Sequence, residues 1–373
     1  MVDCNVKFIS YALNLAKKNL GLTAPNPVVA CVIVKNNQII ATGVTAKNGR
    51  PHAEIIAIEK VFDKKILSDC EIYVTLEPCS HFGKTSPCAD EIIKHKFKKV
   101  IIALRDPDQR VNGNGIKKIQ EAGIEVICGV LEKEAQEINR GFFKARQNNL
   151  PFFTLKIATS LDGKIATKNF NSKWITSDKA RQFSHYLRAE NDAIIVGANT
   201  IRKDNPSLDC RILGLEEFSP KKIIIARNLD FDLGLKIFQN NKENLPIIFT
   251  FAQKQKSENN FSKFEKLGVE IVFCNQKNDE IDLNDFGQKL CAAGVNSALI
   301  EGGKTLATAF LQADLIDELV WIRNKKIIGN DGISAISDLG FLEISQTINN
   351  FNRTNIRELP EEIIETFRKN KSE

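Results

Sequence analysis

The stretch VTLEPCSHFGKTSPC, Val74–Cys88, decides how the first half of this chain is read. A short apolar run, Ile72–Leu76, meets Pro78 and gives way to a loop that carries Cys79, His81 and Cys88. Eight residues separate the two cysteines, too many for a CxxC knuckle. Upstream, RPHAEIIAIE puts His52 and Glu54 at the start of an expected helix, His52–Val61. Cys88 precedes a second expected helix, Ala89–Lys94, where the local dipole and the free N–H groups favour a thiolate. One imidazole and two thiolates suit Zn²⁺ and leave its fourth tetrahedral position open. Water at such a position has a pKa near roughly 7. Glu54, two residues from a ligand, is placed to shuttle its proton. His81 as a fourth ligand would instead close a structural site, but that leaves Glu54 without a role. The open site is the better reading.

Outward from this stretch, 373 residues suggest two domains. With 43% hydrophobic and 26% charged residues, the composition is globular. Net charge is +6, which suits anionic small molecules as well as nucleic acid and decides neither. No apolar run reaches the about 18 residues of a membrane span. MVDCNVKFISYALNLAKKNL reads as an amphipathic first helix and not as a signal peptide. Nine scattered cysteines, an odd number, point to a reducing compartment, and cytoplasmic is the expectation.

The first 146 residues alternate helix and strand. Val6–Lys18 reads as a helix. Val28–Val34 and Gln38–Val44 read as strands around a turn at Lys35-Asn36-Asn37. Strand Ile72–Leu76, strand Val100–Leu104, helix Gly115–Ala122, strand Ile124–Cys128 and one long helix Leu131–Arg146 follow. This pattern gives an α/β/α sandwich with a mixed sheet. The run Gln147–Pro151 breaks it, so a first domain is placed at 1–146 and a second at 151–373. The second half alternates again and has the look of a doubly wound α/β domain. It includes a strand Ser297–Glu301, a glycine pair and a helix Thr305–Ala313, an arrangement able to bind phosphate. The last 30 or so residues, polar and charged, are given no structure.

The triple of His52-x-Glu54, Pro78-Cys79 and Cys88 is the pattern of zinc nucleobase deaminases, in which the Glu is not a ligand. APNPVVACVIV, PHAE and VTLEPCSHFGKTSPC, with RDPDQRVNGNGIKKIQEAGIEV, resemble the deaminase half of the bifunctional riboflavin-biosynthesis deaminase/reductase family, the RibD type. LKIATSLDGKIAT, SKWITS, LRAENDAIIVGANTIRKDNPSLDCR and ALIEGGKTLATAFLQADLIDEL resemble its reductase half. The resemblance spans about Lys7 to Gly329 and implies a cytidine-deaminase-like fold followed by a dihydrofolate-reductase-like α/β fold. It implies zinc-dependent deamination of a diaminopyrimidinone ribosylamine 5′-phosphate, then NADPH reduction of the ribosyl chain of the aminouracil product to ribityl. It carries zinc onto His52, Cys79 and Cys88, the proton shuttle onto Glu54, and substrate contacts onto Asn26, Lys84 and Thr85. In the reductase half, substrate contacts fall on Ser172, Arg188, Leu208, Arg211 and Glu301, and cofactor contacts on Ala158, Trp174, Thr200, Asp204 and Gly303. Lys156 and Asp162 are candidates for protonating the product. It further implies a homo-oligomer.

The chain departs from this family in places. Thr45 stands where a histidine is usual, Ala30 where Gly is usual, and Lys325 where Pro is usual. IIIARN, Ile223–Asn228, lacks the usual acidic residue. A polar Thr45 could still hydrogen-bond in the histidine's place, so the change reads as tuning more than loss of function. The departures leave open an active deaminase with a degenerate reductase half. An RNA-editing protein is disfavoured by the wide cysteine spacing and by the lack of a basic run interleaved with aromatics, so a small-molecule substrate and no nucleic-acid partner are expected.

Overall fold

The computed structural model describes residues 3–82, 86–108, 111–172, 175–239, 244–251 and 258–370. The chain forms two compact units, Met1–Asn149 and Leu150–Glu373.

Asn36 and Asn37, with φ of 49° and 62°, form the left-handed pair that a two-residue hairpin needs. They join β1 (Ala30–Lys35) to β2 (Gln38–Val44) with Lys35 opposite Gln38. β3 (Glu71–Val74), β4 (Lys99–Ile102) and β5 (Glu125–Cys128) complete a sheet of order β2-β1-β3-β4-β5. The pairs β1/β2 and β1/β3 are antiparallel, while β3/β4 and β4/β5 are parallel. β1, ACVIVK, is buried along its first five residues, as a β-branched run covered on both faces should be.

The helices of this unit are α1 (Cys4–Ala16), α2 (Ala53–Lys60), α3 (Cys88–Lys94), α4 (Asn114–Glu121), α5 (Glu132–Ile138) and α6 (Arg140–Asn148). The Asp3 side chain caps α1 by accepting from the Asn5 N–H at 2.9 Å, and α1 buries Phe8, Ile9, Ala12, Leu13 and Ala16 on one face. α2 lies hard against β2. A Cβ on Gly43 would meet the Ala53 carbonyl oxygen at 2.1 Å, so only glycine permits the approach. That contact fixes the first turn of α2, where His52 and Glu54 sit.

One long helix over Leu131–Arg146 is not what forms. It breaks at Asn139, whose side chain accepts from the Val28 N–H and donates to the Val28 carbonyl, both at 2.9 Å. The amide acts as a piece of strand backbone, and the chain kinks to deliver it.

The second unit is built on a nine-stranded sheet of order β11-β10-β9-β8-β14-β6-β15-β18-β17. Its strands are β6 (Phe152–Thr159), β8 (Ala193–Gly197), β9 (Lys221–Ile225), β10 (Ile247–Thr250), β11 (Glu270–Phe273), β14 (Ser297–Ile300), β15 (Glu318–Asn324), β17 (Phe351–Glu358) and β18 (Glu362–Lys369). Two small two-stranded sheets pair β7 (Lys164–Ala166) with β16 (Ile333–Ser334), and β12 (Gln276–Lys277) with β13 (Glu280–Ile281). Helices α7 (Asp178–Ala189), α8 (Ala198–Asp204), α9 (Glu258–Leu267), α10 (Leu283–Ala292) and α11 (Lys304–Gln312) supply the crossovers. The sheet is parallel from β11 to β15 and antiparallel over β15, β18 and β17. Phenylalanines fill one layer beneath it, with Phe249 on Phe286 at 4.8 Å and Phe153 on Phe310 at 5.3 Å, both edge to face. The polar tail left without structure in the sequence forms β17 and β18.

Candidate active site

In the first unit, His52 is the N-cap residue of α2, Cys88 opens α3, and Cys79 lies in the turn after β3. The His52 Nδ1 stands 3.3 Å from the Cys88 Sγ and 3.6 Å from the Cys79 Sγ. Ideal tetrahedral bonds of Zn²⁺ to one nitrogen and one sulfur separate those atoms by about 3.6 Å, so the donors present fit that ion. Among the described residues these three form the one cluster of metal-competent side chains, with ligand atoms within 4.8 Å of one another, and His81 stands outside it. Hydrogen bonds from Cys88 and His52 hold the Cys79 thiol at about 4, as a thiolate. The Cys88 N–H also donates to that sulfur at 3.3 Å.

Glu54 is 3% exposed. Burial raises its carboxyl to about 7, against the opposing charge of His52, so it can both take and give a proton near neutrality. It opens onto a cavity of about 100 Å³ lined also by Asn26, Thr45, Arg50, His81, Asp106, Asp108 and Arg146. Asn26, on the cavity wall, spends its amide nitrogen on the Gly49 carbonyl at 2.9 Å. Thr45 does not offer the free hydroxyl expected of it. Its Oγ1 accepts from the Val29 N–H at 3.0 Å and lies 3.3 Å from the Val29 carbonyl, inside the sheet. Lys84 and Thr85 lie outside the described residues.

In the second unit a cavity of about 1480 Å³ opens along the carboxyl ends of β6, β8, β9 and β14. Of the residues singled out in the sequence, Ala158, Ser172, Arg188, Thr200, Asp204, Leu208, Glu301, Gly303 and Lys156 line it. Glu301 is the electrostatic centre. Arg188 grips it in a fork, Nε to Oε1 at 2.8 Å and Nη2 to Oε2 at 3.0 Å, and the Lys156 Nζ sits 3.2 Å from Oε2. Burial alone would raise this carboxyl, but Lys156 and Arg188 outweigh it and hold it at about 2. Leu208 is held at φ 61°, a left-handed conformation that a branched side chain adopts only under constraint from its surroundings.

Two of the candidates are not brought to this cavity. The Arg211 backbone N–H meets the His185 Nδ1 at 3.4 Å, and its side chain is not part of the lining. Asp162 staples its loop. Its Oδ1 accepts from Ser160 and the Ile328 N–H, and its Oδ2 from the Gly329 N–H at 2.7 Å, which keeps the carboxyl ionised at about 2. Trp174 lies outside the described residues. Sequence reasoning missed Glu77 and Asn139, both buried and both bonded to backbone far along the chain. The only local signal for Glu77 was a carboxylate inside an apolar strand end beside Pro78.

A buried carboxylate beside a His-Cys-Cys donor set on one unit, and a large strand-end cavity on the other, define a two-domain enzyme with a zinc-binding hydrolytic site and a second catalytic unit. The cytidine and deoxycytidylate deaminase zinc-binding region matches residues 3–104, and the RibD C-terminal domain matches residues 151–364. The riboflavin biosynthesis protein RibD of Aquifex aeolicus is 38% identical over 98% of this chain and 99% of its own length. A crystal structure of a diaminohydroxyphosphoribosylaminopyrimidine deaminase/5-amino-6-(5-phosphoribosylamino)uracil reductase from Thermotoga maritima is 35% identical. It superposes with a TM-score of 0.85 over 98% of this chain and 99% of that one. Acinetobacter baumannii RibD, form 1, gives a TM-score of 0.88 at 33% identity, covering 99% of each chain. The chain belongs to the RibD family of riboflavin biosynthesis: a zinc-binding, cytidine-deaminase-like domain followed by the RibD C-terminal reductase domain. It is a deaminase and a reductase on one chain. Among the described residues no helix is long and apolar enough to cross a membrane.

Proposed function

We propose that the first unit deaminates 2,5-diamino-6-ribosylamino-4(3H)-pyrimidinone 5′-phosphate, and that the second reduces the ribosyl chain of the resulting 5-amino-6-(5-phosphoribosylamino)uracil. His52, Cys79 and Cys88 would hold zinc, which when bound would supply water acidified to a pKa of roughly 7. Glu54 takes a proton from the attacking water and returns it to the departing ring amine, which leaves as ammonia. Asn26 orients the pyrimidinone edge through its carbonyl oxygen. Lys84 and Thr85 carry substrate contacts by resemblance alone.

In the second unit, NADPH when bound would supply hydride to the ribosyl carbon. Ala158, Thr200, Asp204 and Gly303, on the cavity wall, would contact the cofactor, and Ser172, Arg188, Leu208 and Glu301 the substrate; Trp174 and Arg211 carry such contacts by resemblance alone. Lys156, an ammonium 3.2 Å from the Glu301 carboxylate on the cavity wall, is the group placed to give the product its proton. The observation that carries the whole reading is the His52, Cys79 and Cys88 cluster, whose His52 and Cys79 share one cavity with buried Glu54, on a chain whose second unit has a cavity of its own. A deaminase with a degenerate reductase rests on Ala226-Arg227, but Arg227 lines a cavity whose Lys156–Glu301–Arg188 centre is intact. The chain acts in the cytoplasm on a small molecule, as a homo-oligomer. The test follows ammonia release and NADPH absorbance separately on the diaminopyrimidine nucleotide. Ammonia without NADPH consumption on the deaminated product leaves the degenerate reading standing.

A further inference from the structure

Among the described residues, one wall of the deaminase cavity has almost no regular structure. Between β4 and α4 the chain runs from Ala103 to Gly113, and this run brings Asp106, Asp108 and Val111 to the cavity. Arg146 reaches Asp108 at 3.7 Å, and one side chain from outside the run bonds its backbone at two points. Glu77, 4% exposed, lies two residues before Cys79, lines the cavity itself and bonds into this run. Its Oε2 accepts from the Gly113 N–H at 2.9 Å and the Asp106 N–H at 3.2 Å. Its Oε1 accepts from the Gly115 N–H at 2.9 Å and the Ile116 N–H at 3.2 Å. Four backbone donors on one carboxylate leave it no oxygen lone pair to spare.

The local sequence needs this partner. α4 begins after Gly113, which has no side chain to cap the helix and sits at φ 92°. The first N–H groups of α4 are therefore orphans unless something outside the helix accepts them. Glu77 does so with a full negative charge at the positive end of the helix, the favourable sign. Gly115 completes the fit, because a Cβ there would meet the Pro78 carbonyl oxygen at 2.1 Å. The turn that carries Cys79 and the first turn of α4 are thus in backbone contact and share one carboxylate.

We propose that Glu77 is a positioning residue for the deaminase: it fixes the wall formed by Asp106, Asp108 and Val111 at a set distance from Cys79 and thereby sets substrate affinity. The proposal rests on the deaminase reading of the first unit. Glu77 acts on binding and not on proton transfer, since His52 and Glu54 are held separately by α2 against Gly43. Its loss should therefore appear in KM more than in kcat.

The experiment uses the zinc-loaded full chain with Glu77→Gln, which keeps shape but turns an NH₂ group toward two of the four donors. Zinc content, KM and kcat for ammonia release, amide hydrogen exchange over 106–116, and NADPH oxidation with the deaminated nucleotide are measured together. The expected result is a KM raised at least about tenfold, about 1.4 kcal/mol of binding, with kcat changed less than about threefold. Zinc is retained, the reductase rate is unchanged, and exchange over 106–116 is faster by at least about tenfold. Glu77→Asp, which restores the charge but withdraws it by one methylene, recovers part of the KM. It also serves as the test variant should the Gln form not fold. A KM within twofold of wild type, or exchange over 106–116 unchanged, overturns the proposal; so does loss of zinc, which makes Glu77 a support of the metal site alone. Absence of ammonia release from the wild type sinks the deaminase reading instead, and the exchange measurement then still decides whether Glu77 clamps this wall.

Discussion

Replacing Glu301 with Gln removes the negative charge between two half-buried cations, Arg188 and Lys156. The carboxyl is held at about 2 against an ordinary value of 4.5, a difference that corresponds to about 3 kcal/mol of stability at neutral pH. Breaking a buried pair by removing one partner costs about 3–5 kcal/mol by general experience, so the two figures agree. For a unit of this size each kcal/mol moves the melting temperature by about 2–4 °C, and Glu301→Gln should lower it by about 6–12 °C. Both tryptophans, Trp174 and Trp321, lie in the second unit, so intrinsic fluorescence follows its unfolding selectively. The pH dependence has a definite sign. A carboxylate whose folded pKa is depressed contributes stability that is fully present above about 4.5 and is lost as pH falls through about 2. The gap between wild type and Glu301→Gln should therefore be constant from about pH 7 to 5 and shrink below that. A variant that melts within about 2 °C of wild type at pH 7, or a gap that does not close in acid, refutes the electrostatic account of this centre.

Glu54→Gln should lower ammonia release by about 10²–10⁴-fold with zinc content unchanged, measured by metal analysis and a coupled ammonia assay. Cys88→Ser should lose both zinc and ammonia release while NADPH oxidation with the deaminated nucleotide continues, since the two sites sit in separate units. Lys156→Met should cut kcat for NADPH oxidation by at least about 10²-fold, whereas Asp162→Asn should change it by less than about threefold; equal losses would keep Asp162 on the list of proton donors. Gly43→Ala should destabilise the first unit, because the new methyl group meets the Ala53 carbonyl oxygen, with release of zinc on mild heating as the readout.

The parts of the fold legible in the sequence were those governed by local chemistry. Asn36-Asn37 announced a left-handed hairpin turn, and β-branched runs announced the central strands. The grouping of His52, Glu54, Cys79 and Cys88 was legible because each ligand falls at a helix start or strand end. What escaped was set by partners far away in the chain. Nothing between Leu131 and Arg146 shows that Asn139 would break the helix, because the cause is the backbone of Val28. β18 read as a charged tail because Glu362 and Glu365 are acidic. Yet Glu362 is buried, accepting from the Ser177 N–H and hydroxyl and the Asn324 amide, and Glu365 pairs with Arg323 and Arg353. Asp162 shows the converse: a carboxylate in a motif reads as chemistry, while its backbone partners at Ile328 and Gly329 give it a structural task.

The most direct test of two reactions on one chain is a single incubation of zinc-loaded protein with the diaminopyrimidine nucleotide, with and without NADPH. The account predicts one ammonia per substrate in both cases, and NADPH oxidation that lags behind ammonia release and reaches the same amount. NADPH consumed before ammonia appears, or no NADPH consumed after complete deamination, would contradict it.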